Sequence, residues 1–265
     1  MNKGLAFFKP ALLALGQIII LFSSIVYIIN SGAQVMGYSW QWDRVPDFIL
    51  VYEDGEWWAT ELLSGLWVTM QISFFSLFAT FLIGLITTLA RVSSSISARL
   101  LSRLYIEIIR NTPLLVQIYI LYFVLGPVIG LDRFTTAVLA LALFQGAYTA
   151  EILRSGLNSI PTGQFEACRT LGLSSFSTYY YVILPQVIQR TLPPLTNEIV
   201  SLVKNSSIVS VMAIFDLTTE GRNIIADTAM PFEIWFTVAI IYLCLTVTIS
   251  FFAAQLETKL GAHWR

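Results

Sequence analysis

Six apolar stretches divide this chain, and their length decides what it can become. Ala11–Asn30 is a nearly unbroken apolar run of 20 residues. Further runs lie at about 65–90, 104–125, 135–152, 192–215 and 234–255. A helix of about 20 residues crosses the roughly 30 Å hydrocarbon core of a bilayer. Inside lipid every backbone N–H and C=O must be paired within the protein, and a helix does this in one segment. The chain is therefore read as an all-α integral membrane protein with six transmembrane helices. Charged residues are only 12% of the total, where a soluble domain carries about 25%. A net charge of −1 offers no face to nucleic acid. Cys168 and Cys244 make no disulfide framework, and the lone His263 makes no metal site.

Two regions follow from the pattern. Residues 1–64 hold the first span, at about 11–30, and an acidic, Trp-rich segment read as periplasmic. Ser31-Gly32-Ala33 resembles a cleavage point, but the apolar run exceeds a signal-peptide core of about 7–15 residues, so it is kept as a span. Ser31–Leu63 carries Asp43, Asp47, Glu53, Asp54, Glu56 and Glu61 with four tryptophans, and such rings favour a membrane–water boundary. Residues 65–265 hold the other five spans, with a polar loop at 153–190.

Several spans carry more than apolar bulk. Ala142, Gly146 and Ala150 put small side chains on one helix face, which lets another helix come close. Pro113 removes a helical donor and restrains the residue before it, so a helix start or break is expected there. Asn197, Ser201, Lys204 and Asn205, with Glu198 at the edge, cover roughly 120° of one helix. A lysine at the centre of a span costs about 2.5–3.5 kcal/mol to insert, so this stripe should face a protein interior or a wet cavity. It either lines a substrate path or pins two helices by hydrogen bonds. Gln145 and Gln117 join it as path candidates. Asp216–Glu233 reads as a return to water.

Within the 153–190 loop, Gly163–Gln186 reads as two short helices with a turn. Gln164–Leu171 holds good helix formers, Gly172 suits the positive φ after a helix end, and Ser174 or Ser175 can cap a second helix ending near Pro185.

The order Glu166-Ala167-Cys168, then Gly172, then Val182-Ile183-Leu184-Pro185 resembles the loop of permease subunits of ATP-binding-cassette (ABC) importers. Departures from the family pattern are Cys168 for Ala and Val182 for Ile. Arg110–Gln117, Ala147–Ile152 and Leu202–Ser206 resemble the polar amino acid branch (histidine, glutamate, glutamine and arginine type). The resemblance implies a type I ABC importer permease fold, with the loop as a cytoplasmic coupling helix. Glu166, Ala167, Gly172, Leu184 and Pro185 are the residues it assigns to ATPase coupling. It also implies two ATPase subunits, a second permease subunit, same or homologous, and a periplasmic amino acid binding protein. No cofactor and no metal is expected in this chain, because no Gly-x4-Gly-Lys loop is present; ATP and Mg belong to the partner. The chain would be a non-catalytic subunit. Likeness of Ser201–Ser207 and Asn223 to permeases of acidic and amide amino acids points to glutamate, aspartate or glutamine. An ion-coupled secondary transporter is the alternative.

Orientation follows from charge alone. The segments read as inner hold eleven Lys and Arg, from Lys3 to Arg265, and those read as outer hold Arg44, Arg133 and Arg222. The positive-inside rule then puts both termini in the cytoplasm; the resemblance implies that the membrane is a bacterial inner membrane.

Overall fold

The computed structural model describes residues Lys3–Ala262, with side chains for 13–259; His263 and Arg265 lie outside the described residues, as do the side chains of Lys3 and Lys9. The chain forms two units, Met1–Asp43 and Arg44–Arg265. The first is dominated by α1, Lys3–Val35, whose apolar window is not buried anywhere in the chain. A helix this long and this apolar is what a bilayer solvates. Beyond it the Trp40 indole donates to Asn30 Oδ1 at 3.1 Å and stacks on Trp42 at 6.0 Å.

The second unit opens with a hairpin, Leu50–Glu53 against Glu56–Ala59, paired Tyr52 to Trp57 and Glu53 to Glu56. Asp54 and Gly55 both have positive φ, as a two-residue hairpin turn needs. Helix α2, Glu61–Val92, then packs along α5, Arg133–Asn158. The seam is made of small and hydroxyl residues. A Cβ on Gly84 would lie 2.6 Å from Thr149 Cγ2, and one on Gly146 2.8 Å from Ile83 Cγ2. Ala142 and Ala150 are fully buried, as the small-residue spacing requires. Thr88 donates from Oγ1 to the Ala150 carbonyl at 3.2 Å, across the seam.

The expected third span is not one helix. Helix α3, Ile96–Arg110, takes in much of the Ser-rich segment before it, and α4, Leu114–Ile129, leaves it at 109°. Pro113 supplies no donor at the break. Side chains close the carbonyls at the helix end: Thr112 Oγ1 donates to Ile108 O at 2.9 Å and Gln117 Nε2 to Ile109 O at 2.8 Å, while Asn111 Nδ2 adds to the backbone bond on Glu107 O at 2.7 Å.

After α6, Thr162–Thr170, the chain enters α7, Ser175–Met212. The second helix of the loop was expected to end near Pro185; it runs on instead. The Leu184 N–H reaches five residues back to Tyr179 O, a wide turn directly before Pro185, and the Gln186 amide donates to Val182 O at 2.8 Å. The same device precedes Pro127 in α4, where Gly126 N–H reaches Leu121 O. A local widening makes room for a residue that has no N–H and collides with the preceding turn.

Asp216–Glu233 meets solvent along one face only, with Arg222, Asn223 and Asp227 exposed. It forms α8, Leu217–Thr228, bent 49° from α7, and Asp216 and Glu233 are fully buried. Asp216 caps α8 by accepting from the Thr219 N–H at 3.1 Å and the Thr219 hydroxyl at 2.6 Å. Leu217, Ile224, Met230 and Ile234 close a core with Val45 and Leu62. Helix α9, Pro231–Ala262, completes the bundle. Among the described residues four helices are long and apolar enough to cross a membrane, or up to six if each bent pair is one span.

Candidate functional site

Helices α5 and α7 bring Gln145, Tyr148 and Phe144 opposite Glu198, Ser201, Lys204 and Asn205 around a cavity of ≈ 270 Å³. The stripe predicted on α7 therefore faces a polar hollow and not a packed wall. The residues are wired in a chain: Asn205 Nδ2 donates to Gln145 Oε1 at 3.5 Å, and Gln145 Nε2 donates to the Glu198 carboxylate. Gln145 is buried. Lys204 is exposed to the cavity, and its ammonium has no ion-pair partner within 4.0 Å among the described residues.

Two predicted members stand elsewhere. Asn197 is exposed but does not line the hollow. Gln117 is buried at the α3–α4 break, where its amide is consumed by Ile109 O, Thr112 O and Thr112 Oγ1. Its spacing gave no hint of this, since its partners stand five and eight residues away around a bend. Tyr148 reads in sequence as a polar member of its helix, with Gln145 and Glu151, but not as a path residue, and Phe144 carries no polar signal. The available signal was the spacing of Tyr148, three residues beyond Gln145 on the same helix face.

A second hollow of ≈ 230 Å³ lies beside the first, lined by Ile106, Glu107, Arg110, Asn111 and Tyr148. Arg110 carries its guanidinium over the Tyr148 ring, 5.4 Å from the centroid. Farther along α5, Glu151 pairs with Arg154 at 2.8 Å and lies 3.9 Å from Arg91.

The loop residues form a separate site at that end of α5. Helix α6 turns Cys168 inward and leaves Glu166 and Ala167 exposed. Its last turn closes as a Schellman motif: Leu173 N–H donates to Cys168 O and Gly172 N–H to Arg169 O, both at 3.0 Å. Gly172 has φ +74, and a Cβ there would meet nothing, so conformation and not space reserves the position for glycine. Ser174 Oγ caps the next helix by accepting from the Ser177 N–H at 3.2 Å. Leu184 is exposed and Pro185 half-buried at the foot of α7. Phe165 of α6 packs with Ile160 against Ile183 and Val187 of α7, and Arg190 donates to the Ser159 carbonyl.

Residues 80–261 match the family described as the binding-protein-dependent transport system inner membrane component. The chain belongs to this family. It is an amino acid ABC importer permease by its relatives and has the type I importer fold. The glutamine transport system permease protein GlnP of Escherichia coli is 38% identical over 202 residues, which are 75% of this chain and 92% of that one. The nopaline transport system permease protein NocM of Agrobacterium fabrum is 34% identical over 217 residues, 77% of this chain and 90% of that one. Among solved structures, an amino acid ABC transporter crystallised with histidines matches with a TM-score of 0.70 at 38% identity, over 75% of this chain and 94% of that one.

Proposed function

We propose that this permease subunit carries polar amino acids by alternating access, driven by a separate ATPase, through the hollow between α5 and α7. The observation that carries the reading is Lys204, a cation in a span with no carboxylate within 4.0 Å among the described residues. An unpaired charge at membrane depth is tolerated where it meets water or a ligand. Lys204 would take the α-carboxylate of an amino acid and Glu198 its ammonium, while Gln145, Ser201 and Asn205 offer the amide and hydroxyl contacts that fix its orientation. Glutamine is favoured over glutamate and aspartate, because relatives are named for glutamine and Glu198 would repel an acidic side chain.

A hollow this polar and open cannot face acyl chains, which supports a second permease subunit across it. In this reading α6 is the coupling helix. Glu166, Ala167 and the turn at Gly172 meet an ATPase subunit, with Leu184 and Pro185 transmitting its movement to α7. ATP and Mg are held by that partner, a binding protein delivers the amino acid from outside, and the termini lie in the cytoplasm, as the eleven-to-three charge bias favours. The test is reconstitution into liposomes with and without the ATPase subunits. Uptake of labelled glutamine is expected only with the ATPase and ATP. Uptake driven by an ion gradient in its absence would replace this reading with secondary transport.

A further inference from the structure

We infer that the stacked pair Tyr148 and Arg110 is the inner gate of the α5–α7 route, the barrier between the amino acid hollow and the coupling-loop end of the protein. The inference rests on the proposed route and goes beyond it by assigning the barrier.

Tyr148 is the one residue that lines both hollows. Its ring is fixed on one side by Phe144, at 5.1 Å between centroids, and covered by the Arg110 guanidinium. The first hollow holds Lys204 and Glu198; the second holds Glu107, Arg110 and Asn111. Polar surface thus continues on both sides of one aromatic ring, and a polar solute passing from one to the other must displace that ring or its cover.

The cover is built to move. Arg110 has no carboxylate within ion-pair distance among the described residues. Arg110 feels Glu151 only as a longer-range charge; its close contact is the stack on Tyr148, and a cation over an aromatic face is a weak, reversible contact. Arg110 is also the last residue of α3, directly before the 109° break. Gln117 ties the end of α3 to the start of α4, so a swing of that corner against α5 would lift Arg110 off the ring as a unit. Meanwhile Tyr105, on α3, holds the Leu143 carbonyl of α5 through its hydroxyl. The pivot and the gate therefore belong to one helix pair.

The experiment places a cysteine at Ser201 in a chain whose Cys168 and Cys244 are changed to alanine. The chain is assembled with its ATPase subunits in membrane vesicles of known sidedness. The rate of labelling by a membrane-impermeant maleimide is read from each face, without nucleotide. Opening a stack of this kind shifts the open population by about tenfold. Tyr148→Ala is expected to raise the labelling rate from the coupling-loop face by that factor and leave the other face unchanged. Arg110→Gln should raise it less. Tyr148→Phe, which keeps the ring and loses the hydroxyl, should label at the parental rate. A Ser201→Cys chain that labels equally with and without Tyr148→Ala overturns the gate and leaves the route standing. A Ser201→Cys chain that labels from neither face in any nucleotide state overturns the route and the gate together.

Discussion

Helix α5 has two faces, and the protein treats them in opposite ways. Toward α2 it presents Gly146, Thr149 and Ala150, and the neighbour approaches so closely that a single added methyl at Gly84 would sit 2.6 Å from Thr149. Toward α7 it presents Gln145 and Tyr148, and the neighbour stands off around ≈ 270 Å³ holding a lysine with no ion-pair partner among the described residues. At Gly84 and Gly146 one seam cannot accept an atom; the other is unfilled. The difference shows how a membrane bundle separates rigidity from transport. Without a hydrophobic drive between helices in lipid, close packing and interhelical hydrogen bonds must hold the bundle. That hold is concentrated on one face, so the opposite face can remain wet and polar.

The contrast can be broken by filling the tight seam. Gly84→Leu would drive a side chain into Thr149 and the Ala150 backbone. Overpacking of this kind costs about 1–3 kcal/mol or more, so the expected result is a large drop in detergent-extracted, monodisperse protein and in its thermal midpoint. A variant as stable as the parent would show that the seam yields and carries no special rigidity.

The α3–α4 break gives a somewhat smaller effect. Gln117→Leu strips the side-chain donor from the half-buried Ile109 carbonyl, and leaving such a group unpaired costs about 1–3 kcal/mol. A lower thermal midpoint is expected with ATPase binding intact, because Gln117 does not reach α6. Loss of the ATPase with an unchanged midpoint would reverse that assignment.

The smallest effect is at the loop. Gly172→Ala places a Cβ in left-handed backbone at about 1–2 kcal/mol, with no clash to add. It should weaken co-purification of the ATPase without altering the spans. Glu166→Arg, on the exposed side of α6, should weaken it further while leaving the fold untouched. Full retention of the ATPase by both variants would remove α6 from the contact.

Much of this was legible in sequence, and the pieces that were not share a cause. Long apolar runs fix the spans because lipid imposes a length. The Ala142–Gly146–Ala150 spacing announced a close seam, and Gly172 announced a positive φ, because each is a local requirement of one backbone. The break at Pro113 was expected, but its angle was not, since that depends on where Gln117 turns after the chain has bent. The helix through Pro185 was missed because a wide turn before the proline removes the conflict that a sequence rule assumes. Asp216 and Glu233 were read as solvent-facing from their charge, yet they are buried, Asp216 as the cap of α8. The stripe at Ser201, Lys204 and Asn205 was legible as a face. Glu198 was placed at its edge, and only the structure joins it to Gln145 across helices.

The central claim is that Lys204 serves the amino acid and not the fold. The direct measurement is labelled glutamine uptake by the reconstituted complex with Lys204→Met, which keeps length and removes charge. Thermal midpoint and ATPase co-purification are read on the same preparation. Losing one partner of a desolvated charge pair costs about 2 kcal/mol or more. The account predicts uptake reduced about thirtyfold or more, with midpoint and ATPase retained. Uptake at the parental rate, or a complex that falls apart before transport can be measured, would contradict it.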